Sequence, residues 1–128
     1  MAEASYPDDL LYHEEHDWAR VDGDGATFGI TWYAQDSLGE VVFFDAPSVG
    51  TELSQGQSYA EIESVKAVSD VIAPLSGKVV EVNETLSQTP ETVNQDPYGA
   101  GWLVKVELTN PSETESLMSA GDYQASLS

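Results

Sequence analysis

The sequence predicts a mainly β protein: a flattened β-sandwich, or barrelled hybrid, of two pseudo-twofold halves with an N-terminal hairpin extension, a short helix near 32–38 and a C-terminal helical segment. Three observations carry this. Short segments rich in Val, Ile, Phe and Tyr, broken by Gly, Pro, Asp and Asn, dominate residues 16–108, which is the pattern of an all-β chain. Two echoes, "GEVV" (39–42) with "GKVV" (77–80) and "TELSQ" (51–55) with "ETLSQ" (84–88), fall in the same order on either side of Lys66. Between Thr31, placed to cap, and Gly39, placed to stop, "WYAQDSL" carries few β-branched residues and reads as about two turns of helix.

Each element follows from local chemistry. "HDWARV" and "ATFGIT" flank "DGDG" (22–25), where Gly23 and Gly25 permit the positive φ of a tight hairpin. After the helix, "GEVVFF" (39–44), "QSYAEIES" (57–64), "VSDVIA" (68–73), "GKVVEV" (77–82) and "GWLVKVEL" (101–108) read as strands, separated by "DAPSVG", "PLSG" and "NQDPYGAG". At the end of the chain, Ser112 and Glu115 are spaced as a capping box, and Gly121 reads as a stop followed by a possible second turn after Asp122. The whole forms one domain, residues 1–128, with a core over about 16–108 and a helical tail over about 112–127.

Composition excludes several functions. The chain has 23 acidic residues against four cations, a formal net charge of -19, which repels nucleic acid and anionic membrane surfaces. The acids are spread along a chain rich in aromatics, Val and Leu, so the charge does not signal disorder. A high-salt, halophilic cytosol explains it, because salt shortens the Debye length to about 3 Å at 1 M. Without cysteine there is no disulfide, thiolate metal site or sulfur nucleophile, and any redox chemistry needs a cofactor. The N-terminus lacks a basic, apolar signal, and no segment approaches the roughly 18 apolar residues of a membrane span, so a soluble, cytoplasmic monomer is expected.

"ESVKAVSD" (63–70) is nearly a palindrome around one of the rare cations. With Lys66 and Ala67 as the two central residues of a hairpin, Val65 faces Val68, Ser64 faces Ser69, Ile62 faces Val71 and Ala60 faces Ala73. Glu63 then faces Asp70, a like-charge pair that costs a few tenths to about 1 kcal/mol and suggests a use for the carboxylates. A lysine at such a tip is solvated and flanked by acids, which makes it a poor catalytic amine and a good address for acylation by another enzyme.

These residues, followed by "APLSGKVVEVN" (73–83), resemble the modification site of lipoyl domains. Together with "HDW" (16–18), "GIT" (29–31), "AQDSLGEVVFF" (34–44), "NQDPYGAGWLVKV" (94–106) and "ESLMSAGDY" (115–123), the chain resembles the H proteins of the glycine cleavage system over about residues 6–127. The resemblance implies a fold of the lipoyl-domain type and a non-catalytic carrier with lipoic acid in amide linkage on Lys66. It implies lipoylation that depends on Glu63 and Gly50, three and sixteen residues before that lysine. Such a carrier shuttles an aminomethyl group from a pyridoxal-phosphate glycine decarboxylase to a tetrahydrofolate-dependent aminomethyltransferase. An FAD-dependent dihydrolipoyl dehydrogenase then reoxidises the dithiol, and a lipoylating enzyme is a further partner. The loaded arm folds into a cleft where Asp70 and Asp17 match the family's carboxylates. Asp17 is one methylene shorter than the family's usual glutamate, Glu15 stands where a small hydroxyl residue is common, and Trp32 replaces a polar residue.

Other readings stay open on sequence. A biotinyl carrier shares the tip lysine but places methionines beside it, where this chain has Val65 and Ala67. A lipoyl depot or relay protein would look the same, and an unmodified β-sandwich interaction module is a further reading. "HEEH" (13–16) spaces its histidines three apart, unlike the four of the helical zinc motif, so no metal is expected. Lys78 and Lys105 are expected on solvated strand faces, and Pro97, Tyr98, Gly99 and Gly101 to set a turn.

Overall fold

A computed structural model of the chain describes residues 5–127. Nine strands form two antiparallel sheets: β1 (Leu11–His13), β2 (Asp17–Asp22), β3 (Gly25–Ile30), β9 (Val104–Leu108), β8 (Gly77–Val82) and β5 (Glu52–Leu53) in that spatial order, and β4 (Val41–Asp45), β6 (Ser58–Ser64) and β7 (Val68–Ile72) in the second. The sheets face each other as an open sandwich. Alternate residues turn inward, as in β9, where Val104, Val106 and Leu108 are buried while Lys105 and Glu107 face solvent. Ala19, Phe28, Val79 and Val104 from the large sheet meet Phe44, Ile62 and Val71 from the small one in a common core.

β2 and β3 form the expected hairpin, closed by Asp22 opposite Gly25. Only Gly23 takes a positive φ, of 62°, and Gly25 instead begins β3. The helix α1 (Trp32–Leu38) starts where expected, with the Thr31 hydroxyl accepting from the Ala34 amide at 3.2 Å and Gly39 donating to the Gln35 carbonyl. Of the two sequence echoes, "GEVV" and "GKVV" contribute β4 and β8 on opposite sheets. "TELSQ" contains β5, whereas "ETLSQ" becomes a 3-10 turn (Glu84–Ser87) capped by the Asn83 side chain.

A second apolar cluster lies on the outer face of the large sheet: Leu10, Tyr12, Trp18, Ala120 and Tyr123. Trp18 can lie flat across β3 because its partner there is Gly29. A Cβ at that position would come 2.4 Å from the indole. This cluster holds the last helix, α3 (Ala120–Ser126), which at seven residues is too short to be stable alone. The predicted capping of the tail is corrected. Ser112 bonds to Asn110 within a 3-10 turn (Pro111–Ser116) and caps nothing, while Ser119 caps α3 by accepting from the Asp122 amide. Gly121 lies in the first turn of α3 instead of ending a helix. Tertiary packing of Ala120 and Tyr123 decides where this helix begins. A four-residue helix, α2 (Thr92–Gln95), completes the set.

Candidate functional site

The β6–β7 hairpin presents Lys66 to solvent at its tip, but in a register two residues away from the palindromic one. Glu63 faces Val68, Ile62 faces Ser69, Glu61 faces Asp70 and Ala60 faces Val71. The pairing of Glu63 with Asp70 is therefore corrected. Val65 and Lys66 are the central turn residues, and the physical reason is Ser64. Its hydroxyl accepts from the amides of Ala67 at 3.1 Å and Lys66 at 3.3 Å, while its own amide donates to the Ala67 carbonyl at 2.8 Å. A side chain thus satisfies the turn amides, and no residue of the tip needs a positive φ.

The displaced register changes which carboxylates meet. Asp45 of β4 is opposite Glu61, and Glu61 is opposite Asp70, so three exposed acids cross the small sheet in one row. The adjacent row is Phe43, Glu63 and Val68, which leaves Glu63 on the outer face between two exposed apolar side chains. The tip is anchored by the Val65 amide on the Glu40 carbonyl at 3.0 Å. The Lys66 side chain passes over Gly39, where a Cβ would lie 3.4 Å from its Cε. Gly39 has φ +80°, so both backbone and space favour glycine there.

Below the tip, a cleft of about 320 Å³ runs between α1 and β7. Ile30, Ala34, Leu38, Ile62 and Val71 form its apolar walls, with Tyr33 and Ser37 at the rim. Its polar lining is Asp70 on the hairpin, Glu15 and His16 on the β1–β2 turn, and Asp17 at the start of β2. The structure thus gathers Lys66, Glu63, Asp70 and Asp17 around the hairpin and its cleft. Gly50 stands apart, beyond the far end of β4. It has φ +95° and donates to Val79 of β8 at 2.7 Å, which explains a glycine there on backbone grounds.

Asp17 is 2% exposed. It shares the inward face of β2 with Ala19, opposite Ile30 and Phe28. Burial pushes its carboxyl well above the usual carboxylate range; the Ile72 amide opposes this and the Glu15 charge adds to it. Neighbouring His16 has φ +73°, a left-handed conformation uncommon outside glycine. Its bonds hold it there: the His16 carbonyl accepts from Thr31, its Nδ1 lies 2.7 Å from the Tyr123 hydroxyl, and its ring packs on Tyr33 at 4.5 Å. The Tyr123 hydroxyl also lies 2.8 Å from Thr31 Oγ1, so α3, the β1–β2 turn and the cap of α1 are tied at one point. Burial lowers the His16 pKa, against the opposing pull of Glu15.

Sequence reasoning missed three contributors. Ser64 sets the register, Tyr123 braces His16 and Thr31 beside the cleft from the far end of the chain, and the turn around Pro97 and Tyr98 does more than connect. The Pro97 carbonyl accepts from Trp18 Nε1 at 3.0 Å, the Tyr98 carbonyl accepts from Arg20, and the Tyr98 hydroxyl accepts from the Trp32 amide. Only the spacing of "PYG" offered a signal, and it read as a turn. His13 and His16 take separate partners: His13 Nδ1 accepts from the Glu15 amide at 3.1 Å. Lys105 pairs with Glu81 at 3.9 Å and lies over the Trp102 ring, and Lys78 is exposed on β8.

Comparison with known proteins agrees with this arrangement. The glycine cleavage H-protein family profile matches residues 10–128. The chain is 54% identical over 122 residues to the glycine cleavage system H protein of Symbiobacterium thermophilum, covering 95% of each. It is 52% identical over 118 residues to the probable glycine cleavage system H protein of Haloarcula marismortui, covering 92% of this chain and 93% of that one. The crystal structure of a glycine cleavage system H protein from Mycobacterium marinum superposes with a TM-score of 0.86 at 40% identity, covering 93% of this chain and 96% of that one. The chain belongs to the glycine cleavage H-protein family.

Proposed function

We propose that this single-domain chain is the lipoyl-bearing carrier of glycine cleavage and that Lys66 is its point of attachment. It is a component that other enzymes act on and has no catalysis of its own. The observation that carries the reading is one juxtaposition: an exposed tip lysine above an apolar cleft that ends in a buried carboxylate, Asp17. When bound, lipoic acid supplies a dithiol–disulfide pair, chemistry that a chain without cysteine lacks. The residues present fit such an arm, since the walls suit methylenes and Asp17 Oδ2 has no hydrogen-bond partner.

In this reading Glu63, three residues before Lys66 and flanked by exposed Phe43 and Val68, is read by the lipoylating enzyme, with Gly50 as its second determinant. Asp70 at the cleft margin and Asp17 at its floor hold a primary ammonium group, and the apolar walls exclude water from it. Partners are a pyridoxal-phosphate glycine decarboxylase, a tetrahydrofolate-dependent aminomethyltransferase and an FAD-dependent dihydrolipoyl dehydrogenase, each served by a monomeric carrier. A cytoplasmic setting fits these partners, and among the described residues no helix is long and apolar enough to cross a membrane. We also keep the high-salt reading of the -19 charge, which rests on composition; relatives at similar identity come from varied organisms.

Lys66→Ala tests the assignment. The variant should keep its fold and lose glycine-dependent CO2 exchange with the decarboxylase. Full exchange by Lys66→Ala would refute the carrier reading at this residue. Intact mass of protein from its native source should show an added mass of about 188 Da for lipoyl, against about 226 Da for biotin.

A further inference from the structure

Among the described residues, two buried side-chain polar atoms have no hydrogen-bond partner: Asp17 Oδ2 and the Tyr59 hydroxyl. Buried polar atoms are almost always paired, so two unmade bonds in one region ask for a use. The two groups are in electrostatic range, because the Asp17 charge holds the Tyr59 phenol up, second to burial. The backbone accounts for how Tyr59 reaches this place. Ser58 pairs with Ile72 and Ala60 with Val71, so Tyr59 is the extra residue of a β-bulge in β6. Bulges re-aim a side chain, and here the ring packs against Phe28, inside the sandwich on the face that Asp17 shares.

We propose that Tyr59 is a positioning residue for Asp17, an unspent donor that turns onto the carboxylate when a primary ammonium occupies the cleft. This rests on the reading of Asp17 as the ammonium seat. The groups that line the cleft with Asp17 or lie in electrostatic range of it are Glu15 and His16 on the β1–β2 turn, Tyr33 on α1, Asp70 on β7, Tyr59 on β6 and Tyr123 on α3, and none of these is a lysine or arginine. An isolated negative charge is costly among them, and burial pushes the carboxyl well above the usual carboxylate range. Where the carboxyl carries a proton, that proton leaves to water as an ammonium enters, and charge in the cleft is conserved. Asp17, now an acceptor through both oxygens, receives the ammonium from the cleft, the Ile72 amide from β7 and the Tyr59 O–H from behind. The phenol thereby makes up for the short side chain of Asp17, fixing it from the rear while the cation approaches from the front.

The test is a ¹³C-carboxyl NMR titration of unlipoylated protein, with Asp17→Asn used to assign the signal. Wild-type Asp17 should titrate above the ordinary carboxylate range. In Tyr59→Phe, which removes one oxygen and keeps the ring, the midpoint should rise by about one pH unit through loss of a donor to the charged form. Tyr59→Leu should raise it equally. An unmoved or lowered midpoint in Tyr59→Phe overturns the proposal, as does a rise in Tyr59→Leu alone, which would trace to packing. The readout needs no attached cofactor, so this inference and the carrier reading fail separately: full exchange by Lys66→Ala refutes only the latter.

Discussion

Lys66, on the hairpin tip above the cleft, and Asp17, in the cleft lining, differ in almost every physical respect. The tip is wet: Val65 and Val68 are 67% and 59% exposed, and Lys66 is exposed with them. The floor is dry, with Asp17 2% exposed beside Trp18, which has no exposed surface. A tip must be reached by other enzymes, and exposure keeps its amine addressable. A floor must hold a charge away from water, which needs a rigid wall. The wall is supplied by segments distant in sequence, since β1, Trp18, the Pro97 turn and Tyr123 of α3 converge behind it. Function on this scaffold depends on joining a region that contributes almost nothing to stability to one that contributes a great deal.

The largest effect that sharpens this contrast is in stability. Trp18→Ala removes a fully buried indole, its bond to Pro97 and its contact with Arg20, and should cost about 3–5 kcal/mol in denaturant unfolding. Lys66→Ala should fall within about 0.5 kcal/mol of wild type. Comparable losses from both would dissolve the distinction between tip and floor.

Asp17→Asn gives the next effect, and its sign is fixed by linkage. The folded carboxyl binds its proton more tightly than the unfolded one, so wild-type stability falls as pH rises from about 4 through the raised folded value, and the penalty persists above it. Asparagine does not titrate. The variant should therefore gain on wild type over that window and be the more stable at pH 7, read as the difference between the two melting temperatures across pH. A difference that stays flat would mean that Asp17 is not buried as a neutral acid. On the functional side, removal of the charge should weaken the hold on an ammonium in the cleft.

The smallest effect belongs to the outer face of the hairpin. Glu61→Gln breaks the row of Asp45, Glu61 and Asp70 and should stabilise by about 0.2–1 kcal/mol at low salt. The gain should shrink in KCl, where the wild-type melting temperature itself should climb steeply if the -19 charge reflects high salt. A melting temperature flat from roughly 0.1 to 3 M, about thirty-fold in salt and a fall in Debye length from about 10 Å to below 3 Å, would remove that reading.

Much of this arrangement was legible in the residues. Seven of the nine strands, the Thr31 and Gly39 limits of α1, and Lys66 at a hairpin tip could all be read from local patterns. The two strands that escaped, β1 and β5, have three and two residues, too few for alternation to show. The misread register has a more general cause. A slip of one residue would turn every side chain to the other face, but a slip of two keeps each on its own face. The hydrophobic pattern of "IESVKAVSDV" therefore fits both pairings equally, and the mirror symmetry favoured the wrong one.

What the sequence by itself determined was the set of properties that depend on neighbours along the chain: alternation, turn composition, the caps of α1, and a lone lysine between two acids. The tertiary structure decided what depends on partners brought from elsewhere. The Ser64 hydroxyl selected the register, packing of Ala120 and Tyr123 accompanies a helix capped at Ser119 and not at Ser112, and a bulge in β6 set Tyr59 against Phe28. In the sequence, Asp17 stands out from the other acids among the 23 only through the resemblance carried by "HDW", and nothing local marks it as buried. Only the two sheets closing over it, with Ile30 opposite and, among the described residues, no lysine or arginine lining its cleft, make it a buried acid with a raised pKa, because desolvation is a property of the fold and not of the residue.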